Sequence, residues 1–272
     1  MSKRLIGIAP LSVLGTEPVD FIRAAAKTGY DFIGLRTRSV TDTEKDLNLL
    51  NDNPRMREVL AVLKDTGMKV ADTEFLAIGE NVTSDFWQPM LDAAAQLGAQ
   101  SLTATITDPD MARATDVMGR LVEDAEKSNL VIALEPISYQ TVKQLPEAVE
   151  VAKATGCKVL FDTLHFRRAF GEMAHITAAL PYLADMVQLC DGVLSERADT
   201  REGLIEESRA KRGIPGEGDF RLAECVALLS EDMPVSVEVP NPKFAELGLE
   251  GYLRHLKTAA ENVLAQAAVL RK

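Results

Sequence analysis

Four apolar runs of this chain carry, at or near their ends, a side chain that has no business in a hydrophobic interior without a task. They are Val131-Ile132-Ala133-Leu134-Glu135, Val159-Leu160-Phe161-Asp162, Met186-Val187-Gln188-Leu189 and Val235-Ser236-Val237-Glu238. If each run is a strand, alternation places Glu135 on the face of Val131 and Ala133, and Glu238 on the face of Ser236. The bulkier apolar residues then take the other face, under a layer of helices. Glu135, Asp162, Gln188 and Glu238 converge on the smaller, more polar side. Three carboxylates and an amide oxygen gathered in a low-dielectric pocket repel one another and cannot all ionise alone; one divalent cation resolves that conflict. An all-oxygen ligand set suits Mg²⁺ or Mn²⁺, with Co²⁺ and Zn²⁺ as further candidates. Taken singly, each residue also has a structural role open to it. Glu135 before Pro136 or Asp162 could cap a helix, and Gln188 could satisfy a backbone group. Four such residues on successive strands favour the joint reading.

The elements that must position them recur along the whole chain. Short runs rich in Val, Ile and Leu at 5–9, 32–36, 69–74, 101–106, 131–135, 159–162, 186–189 and 235–239 predict eight strands. Amphipathic stretches at 18–28, 54–66, 84–97, 110–128, 143–155, 220–229 and 252–270 predict helices between and after them. Gly29, Gly67, Gly98 and Gly156 each follow such a stretch, where a helix C-terminus needs a left-handed residue. Regular strand–helix alternation over 272 residues predicts an α/β fold, a single-domain (β/α)₈ TIM barrel covering 1–272. The longest irregular stretch, 192–218, ends in Gly213-Ile214-Pro215-Gly216-Glu217-Gly218 and predicts a shaped loop over a site. In such a barrel the chemistry sits at the C-terminal strand ends. Arg36 and Arg38 follow the second strand there, Glu74 and Phe75 close the third, and Trp87 opens the next helix. Arg212 lies in the long loop and Lys243 follows the last strand. Of these, Arg36, Glu74, Arg212 and Lys243 are the expected substrate-binding residues.

Composition limits the function classes. The chain holds 30 Lys+Arg against 41 Asp+Glu, a net charge of −11, which argues against nucleic acid or anionic membranes as partners. No apolar run approaches the roughly 18 residues that span a bilayer. The opening MSKRLIGIAP leads into a strand rather than a cleavable signal, so a cytoplasmic location is expected. Cys157, Cys190 and Cys225 lack CxxC spacing and read as buried free thiols. Homo-oligomers are compatible with a helical shell, but no heptad pattern specifies one.

The segments Leu134-Glu135-Pro136, Asp162-Thr163-Leu164-His165, Gln188-Leu189-Cys190-Asp191, Arg212-Gly213-Ile214-Pro215-Gly216-Glu217-Gly218 and Val237-Glu238 together resemble the xylose isomerase-like TIM barrels. That group includes sugar isomerases and epimerases, an inosose isomerase, 3-dehydroshikimate dehydratases and endonuclease IV. The resemblance covers essentially the whole chain. It implies one metal held by Glu135, Asp162, Gln188 and Glu238, with His165 beside the substrate and Arg212 matching an arginine before the Gly-rich turn. Most sugar epimerases of the group carry His where this chain has Gln188, whereas its dehydratases use an amide. Endonuclease IV gathers three zinc ions with many histidines, and this chain has only three, of which His175 and His255 fall in helical segments. The chemistry implied is proton abstraction next to a carbonyl through a metal-stabilised enediolate, with Glu135 and Glu238 as acid/base groups and His165 completing the catalytic set. The expected function is thus a divalent-metal-dependent isomerase or epimerase of a ketose, inosose or related small-molecule substrate. The alternatives are a dehydratase of a cyclic keto-acid and a non-catalytic ligand-binding barrel.

Overall fold

In the computed structural model, which describes residues 4–40, 47 and 49–271, eight parallel strands close into a ring in chain order. They are β1 (Ile6–Ile8), β2 (Phe32–Arg36), β3 (Lys69–Ile78), β4 (Ser101–Ile106), β5 (Val131–Leu134), β6 (Lys158–Asp162), β7 (Leu183–Leu189) and β8 (Val235–Val237). β8 pairs back onto β1 through Ile6 with Val235 and Ile8 with Val237, so no edge is left open. β1, β5 and β8 are shorter than their apolar runs, which leaves Glu135 and Glu238 one residue beyond a strand end. β3 is longer than expected: it continues through Glu74 and Phe75 to Ile78, with a register shift against β4 between Thr73 and Leu76.

The helices are α1 (Pro18–Lys27), α2 (Pro54–Thr66), α3 (Ser84–Leu97), α4 (Met111–Glu126), α5 (Leu145–Thr155), α6 (Thr163–Arg168), α7 (Met173–Ala179), α8 (Arg201–Ala210), α9 (Leu222–Leu228) and α10 (Lys243–Leu270). Gly67, Gly98 and Gly156 close α2, α3 and α5 at φ near +70 to +81°, and Gly29 follows α1 at +80°, the conformation that the sequence assigned to them. α10 starts nine residues earlier than the pattern suggested, with a break at Gly248 (φ 66°). The stretch 192–218 is not a structureless loop, since α8 lies inside it.

The outward residues of the strands, among them Ile33, Leu35, Ile132, Leu134, Val235 and Val237, are buried against the helices in one continuous core. Inside the barrel Phe32, Ala133, Leu160, Ala184 and Met186 form a smaller apolar cluster. Above it the inward positions turn polar. Cys157, Cys190 and Cys225 are free and buried, as expected. Among the described residues, no helix is long and apolar enough to cross a membrane.

Candidate active site

A cavity of about 430 Å³ opens at the C-terminal ends of the strands, with Arg36, Glu74, Glu135, His165, Gln188 and Glu238 on its walls. The backbone sets each of these. The Glu135 N–H donates to the Ala104 carbonyl (2.8 Å) and the Glu238 N–H to Leu189 (3.1 Å), which extends the ladder one residue past β5 and β8. Both carboxylates therefore keep the inward alternation. Gln188 stands level with Asp162 on β6 and Ser236 on β8.

Asp162 does two things at once. Its Oδ1 accepts from the backbone N–H groups of Leu164 (2.6 Å) and His165 (3.2 Å), capping α6, so the structural role open to it is real. Its Oδ2 accepts from Arg212 Nη1 at 2.6 Å. The same guanidinium reaches Glu238 Oε2 through Nη2 at 2.9 Å, and both of its carboxylate partners are buried with it. Arg212 thus covers Asp162, which does not itself line the cavity. Its placement depends on α8: Arg212 Nε donates to the Ser208 carbonyl (2.8 Å), and Asn241 Nδ2 donates to the Arg212 carbonyl (2.8 Å). Gly213 then bridges Asp191 through paired backbone hydrogen bonds (2.8 and 2.9 Å). A Cβ on Gly213 would stand 2.7 Å from the Asp191 backbone, so only glycine permits this approach.

The remaining groups complete the ring. Gln188 Nε2 donates to Glu238 Oε1 (3.2 Å), which leaves the amide oxygen buried without a partner. His165 Nε2 lies 3.8 Å from Glu135 Oε1, and its Nδ1 is 3.2 Å from Ser138 Oγ. Tyr139 stacks edge-on against the imidazole (centroids 5.6 Å). Arg36 Nε lies 3.4 Å from Glu74 Oε2.

Burial dominates the proton affinities. It raises Glu135 well above the ordinary 4.5, with the charges of Asp162 and Glu238 adding to the effect. Burial lifts Glu238 to about 8 against the pull of Arg212. Glu74 rises to about 7 by burial and the neighbouring Asp72. Burial also pushes Asp162 upward, but Arg212 and His165 together hold it below 3.8. Burial lowers His165 to about 4, which leaves a neutral imidazole. Asp72, Glu74, Glu135, Asp162 and Glu238 are all buried here, with Arg36 and Arg212 the buried guanidinium groups facing them. The carboxyl groups outnumber the guanidinium groups, and their raised proton affinities follow from that imbalance as well as from burial.

The donor set fits a divalent cation. Glu135, Asp162 and His165 each offer a ligand atom within 4.8 Å of the others, and the unpartnered Gln188 oxygen adds a neutral donor. The structure does not gather Glu135, Asp162, Gln188 and Glu238 into one open ligand shell, because Arg212 clasps Asp162 and Glu238.

Of the expected substrate-binding residues Lys243 lies elsewhere, while His175 and His255 fall in helices, as expected. Lys243 starts α10 and pairs with Glu217 (3.0 Å), off the cavity wall. Arg38 lies over the Phe86 ring, 4.4 Å from its centroid. Trp87 is buried on the inner face of α3 and donates to Asp124 (2.9 Å). His255 sits 3.7 Å from Glu217, and His175 accepts from the Glu172 N–H at the start of α7. Sequence reasoning missed Tyr139, Ser208 and Arg209 on the cavity wall, together with Asp72 behind it. Ser208 and Arg209 ride on α8, whose existence was their only signal.

Residues 22–271 match the family model described as xylose isomerase-like TIM barrel, and the chain belongs to that family. No curated protein matches the sequence. Among solved structures, it is similar to a xylose isomerase-like TIM barrel/4-hydroxyphenylpyruvate dioxygenase fusion protein (19% identity, TM-score 0.81), covering 99% of this chain but 44% of that one. A second is described as the IOLI protein with a binding zinc atom (18% identity, TM-score 0.77, 97% of this chain and 99% of that one). A third is D-allulose 3-epimerase from Methylomonas sp. in complex with D-allulose (16% identity, TM-score 0.70, 96% and 98%). At these identities the likeness establishes the shared barrel.

Proposed function

We propose that the chain is a divalent-metal-dependent isomerase or epimerase of a small polyhydroxy carbonyl compound, a ketose or an inosose. The observation that carries this reading is the pair Glu135 and Glu238: two buried carboxylates on one cavity, three strands apart around the ring. Such a pair can reach a bound substrate from two sides. Glu135, Asp162, Gln188 and Glu238 would hold the ion, with His165 beside them. A divalent cation in this place supplies Lewis-acid polarisation of a carbonyl and its neighbouring hydroxyl.

The chain's own residues do the rest. One of the two glutamates accepts a proton at a carboxylate oxygen from the carbon next to the carbonyl. The other returns a proton to the opposite face, which epimerises, or to the neighbouring carbon, which isomerises. Gln188 and Arg212 fix the orientation of Glu238, while the neutral His165 imidazole can hydrogen-bond a substrate oxygen beside Glu135. Leu11, Leu14, Phe75 and Ile137 line the cavity and limit water around the reacting carbon. The zinc-holding IOLI protein and the D-allulose epimerase support this reading by their shared barrel.

Gln188 favours a second reading, dehydration of a cyclic keto-acid such as 3-dehydroshikimate, because the resemblance links an amide at this position to dehydratases. Proton NMR in D₂O of the Mn²⁺- or Mg²⁺-loaded protein with ketoses, inososes and 3-dehydroshikimate, beside an EDTA control, separates the two. Deuterium next to the carbonyl with otherwise unchanged mass supports the isomerase or epimerase. Loss of water to an enone or aromatic product makes it a lyase, and no metal-dependent change with any substrate contradicts both.

A further inference from the structure

His165 sits on the first turn of α6, where its backbone N–H donates to Asp162 Oδ1 (3.2 Å), and the residue is only 1% exposed. From the loop after β5, Ser138 brings two donors to one nitrogen of its ring: the Ser138 backbone N–H stands 3.4 Å from His165 Nδ1, and the Ser138 hydroxyl 3.2 Å. The neighbouring Tyr139 packs edge-on against the imidazole, and its own hydroxyl donates to Ser208 Oγ (3.3 Å), which ties this loop to α8. Ile137, Tyr139 and His165 line the cavity, whereas Ser138 stands behind them and is buried. Ser138 is thus no nucleophile for a substrate in the cavity; what it touches is the imidazole.

A backbone N–H can only donate, so the nitrogen it faces must present a lone pair. That makes Nδ1 the acceptor, since a hydrogen on it would stand head to head with the Ser138 N–H. The same clash excludes the imidazolium, in which both nitrogens carry hydrogen. In the neutral ring the proton then sits on Nε2, because the hydrogen bond made by one ring nitrogen fixes the state of the other. Nε2 lies 3.8 Å from Glu135 Oε1, beyond hydrogen-bonding distance, so Glu135 does not consume this donor. Imidazole and carboxylate stand side by side on the cavity wall.

We infer that Ser138 is a positioning residue: through its backbone N–H and its hydroxyl it holds His165 as the Nε2–H tautomer, a neutral hydrogen-bond donor fixed beside Glu135. A substrate oxygen placed there accepts from Nε2–H while Glu135 takes the proton from the adjacent carbon, and the donor stabilises the negative charge that develops on that oxygen. The other tautomer would offer only a lone pair at this point. With Nδ1 engaged and Nε2 protonated, neither ring nitrogen has a lone pair left for a metal ion. The tautomer stands on the geometry alone; its use in catalysis rests on the reaction proposed above.

Nitrogen-15 NMR of the histidine-labelled full chain reads the tautomer without any substrate. His165→Gln assigns the ring among the three histidines of the chain. The parent at neutral pH shows a protonated Nε2 and a bare Nδ1, in EDTA and with Zn²⁺ alike. Ser138→Ala moves both ring shifts toward the tautomer mixture of free imidazole, and Ser138→Thr keeps the parent spectrum. With a substrate that the loaded protein turns over, Ser138→Ala lowers kcat about tenfold or more and changes KM by less than about threefold, because the lost interaction belongs to the transition state; Ser138→Thr restores kcat. A proton on Nδ1, a metal-bound Nε2, or ring shifts left unchanged by Ser138→Ala overturns the inference. So does a Ser138→Ala defect confined to KM. Absence of turnover with every substrate overturns the proposed function but not the tautomer, which the spectra decide.

Discussion

Replacing Arg212 by Met takes the guanidinium from between Asp162 and Glu238 but keeps an unbranched apolar side chain in the same space. In the parent protein Arg212 lies 2.6 Å from one carboxylate and 2.9 Å from the other, all fully desolvated. Removing one partner of a buried ion pair costs about 3–5 kcal/mol. The stranded carboxyl has one escape, which is to take up a proton, and that sets a ceiling. Neutralising an aspartate of ordinary pKa 3.8 costs about 5 kcal/mol at about pH 7.5, but only about 2 kcal/mol at about pH 5. For a chain of this length the metal-free variant should therefore melt on the order of 10 °C below the parent at the higher pH and a few degrees below it at the lower. Saturating Mn²⁺ puts positive charge back on the same carboxylates and should return most of the loss. Thermal unfolding followed by circular dichroism, in EDTA and in Mn²⁺ at both pH values, reads all of this. A variant that melts within about 2 °C of the parent in EDTA at about pH 7.5, or one whose deficit is the same at both pH values and unmoved by Mn²⁺, refutes the reasoning.

Asp72 is raised from 3.8 to about 7, by burial first and by Glu238 second, so the folded metal-free chain holds a proton there that the unfolded chain has released. Its contribution is full below about pH 4 and is lost as pH rises toward about 7; Asp72→Asn should flatten that part of a plot of EDTA-state melting temperature against pH, and an unchanged slope counts against the assignment. Gln188→Leu deletes the unpartnered amide oxygen at nearly constant volume and should weaken Mn²⁺ binding by at least about tenfold in a calorimetric titration, whereas equal affinity removes Gln188 from the ligand set. Gly213→Ala forces a Cβ against the Asp191 backbone and should cost about 1–3 kcal/mol in urea unfolding. It should also lower turnover, because the bridge that seats Arg212 must shift; full stability and activity would show that the loop yields.

The barrel was legible because short runs rich in Val, Ile and Leu alternate with amphipathic stretches along the whole chain, and because four glycines mark where helices end. Glu135 and Glu238 line the cavity on the face that alternation assigned to them, and Gln188 lines it with them. α8 escaped because Arg201–Ala210 buries only Leu204 and Ser208, too few residues to write an apolar stripe. Its start signal, Thr200 accepting from the Gly203 N–H (3.1 Å), is one hydroxyl in a charged stretch. α6 is six residues long and begins on the very aspartate read as a ligand, so the cap and the ligand shared one signal. Lys243 was misplaced because nearness to a strand end in sequence does not give direction: its side chain finds Glu217, while Trp87, at the start of α3, packs into the helical shell. The clasp of Arg212 on Asp162 spans 50 positions, and no local pattern encodes a contact of that range.

The most direct test of the account is a crystal of the Mn²⁺-soaked protein measured at the manganese absorption edge. The account predicts a single anomalous peak per chain at the C-terminal mouth of the barrel, within ligand distance of Glu135, Asp162, Gln188 and Glu238, with Arg212 withdrawn from at least one of its carboxylates. A map with no peak there, with Arg212 still joining Asp162 to Glu238, would contradict it.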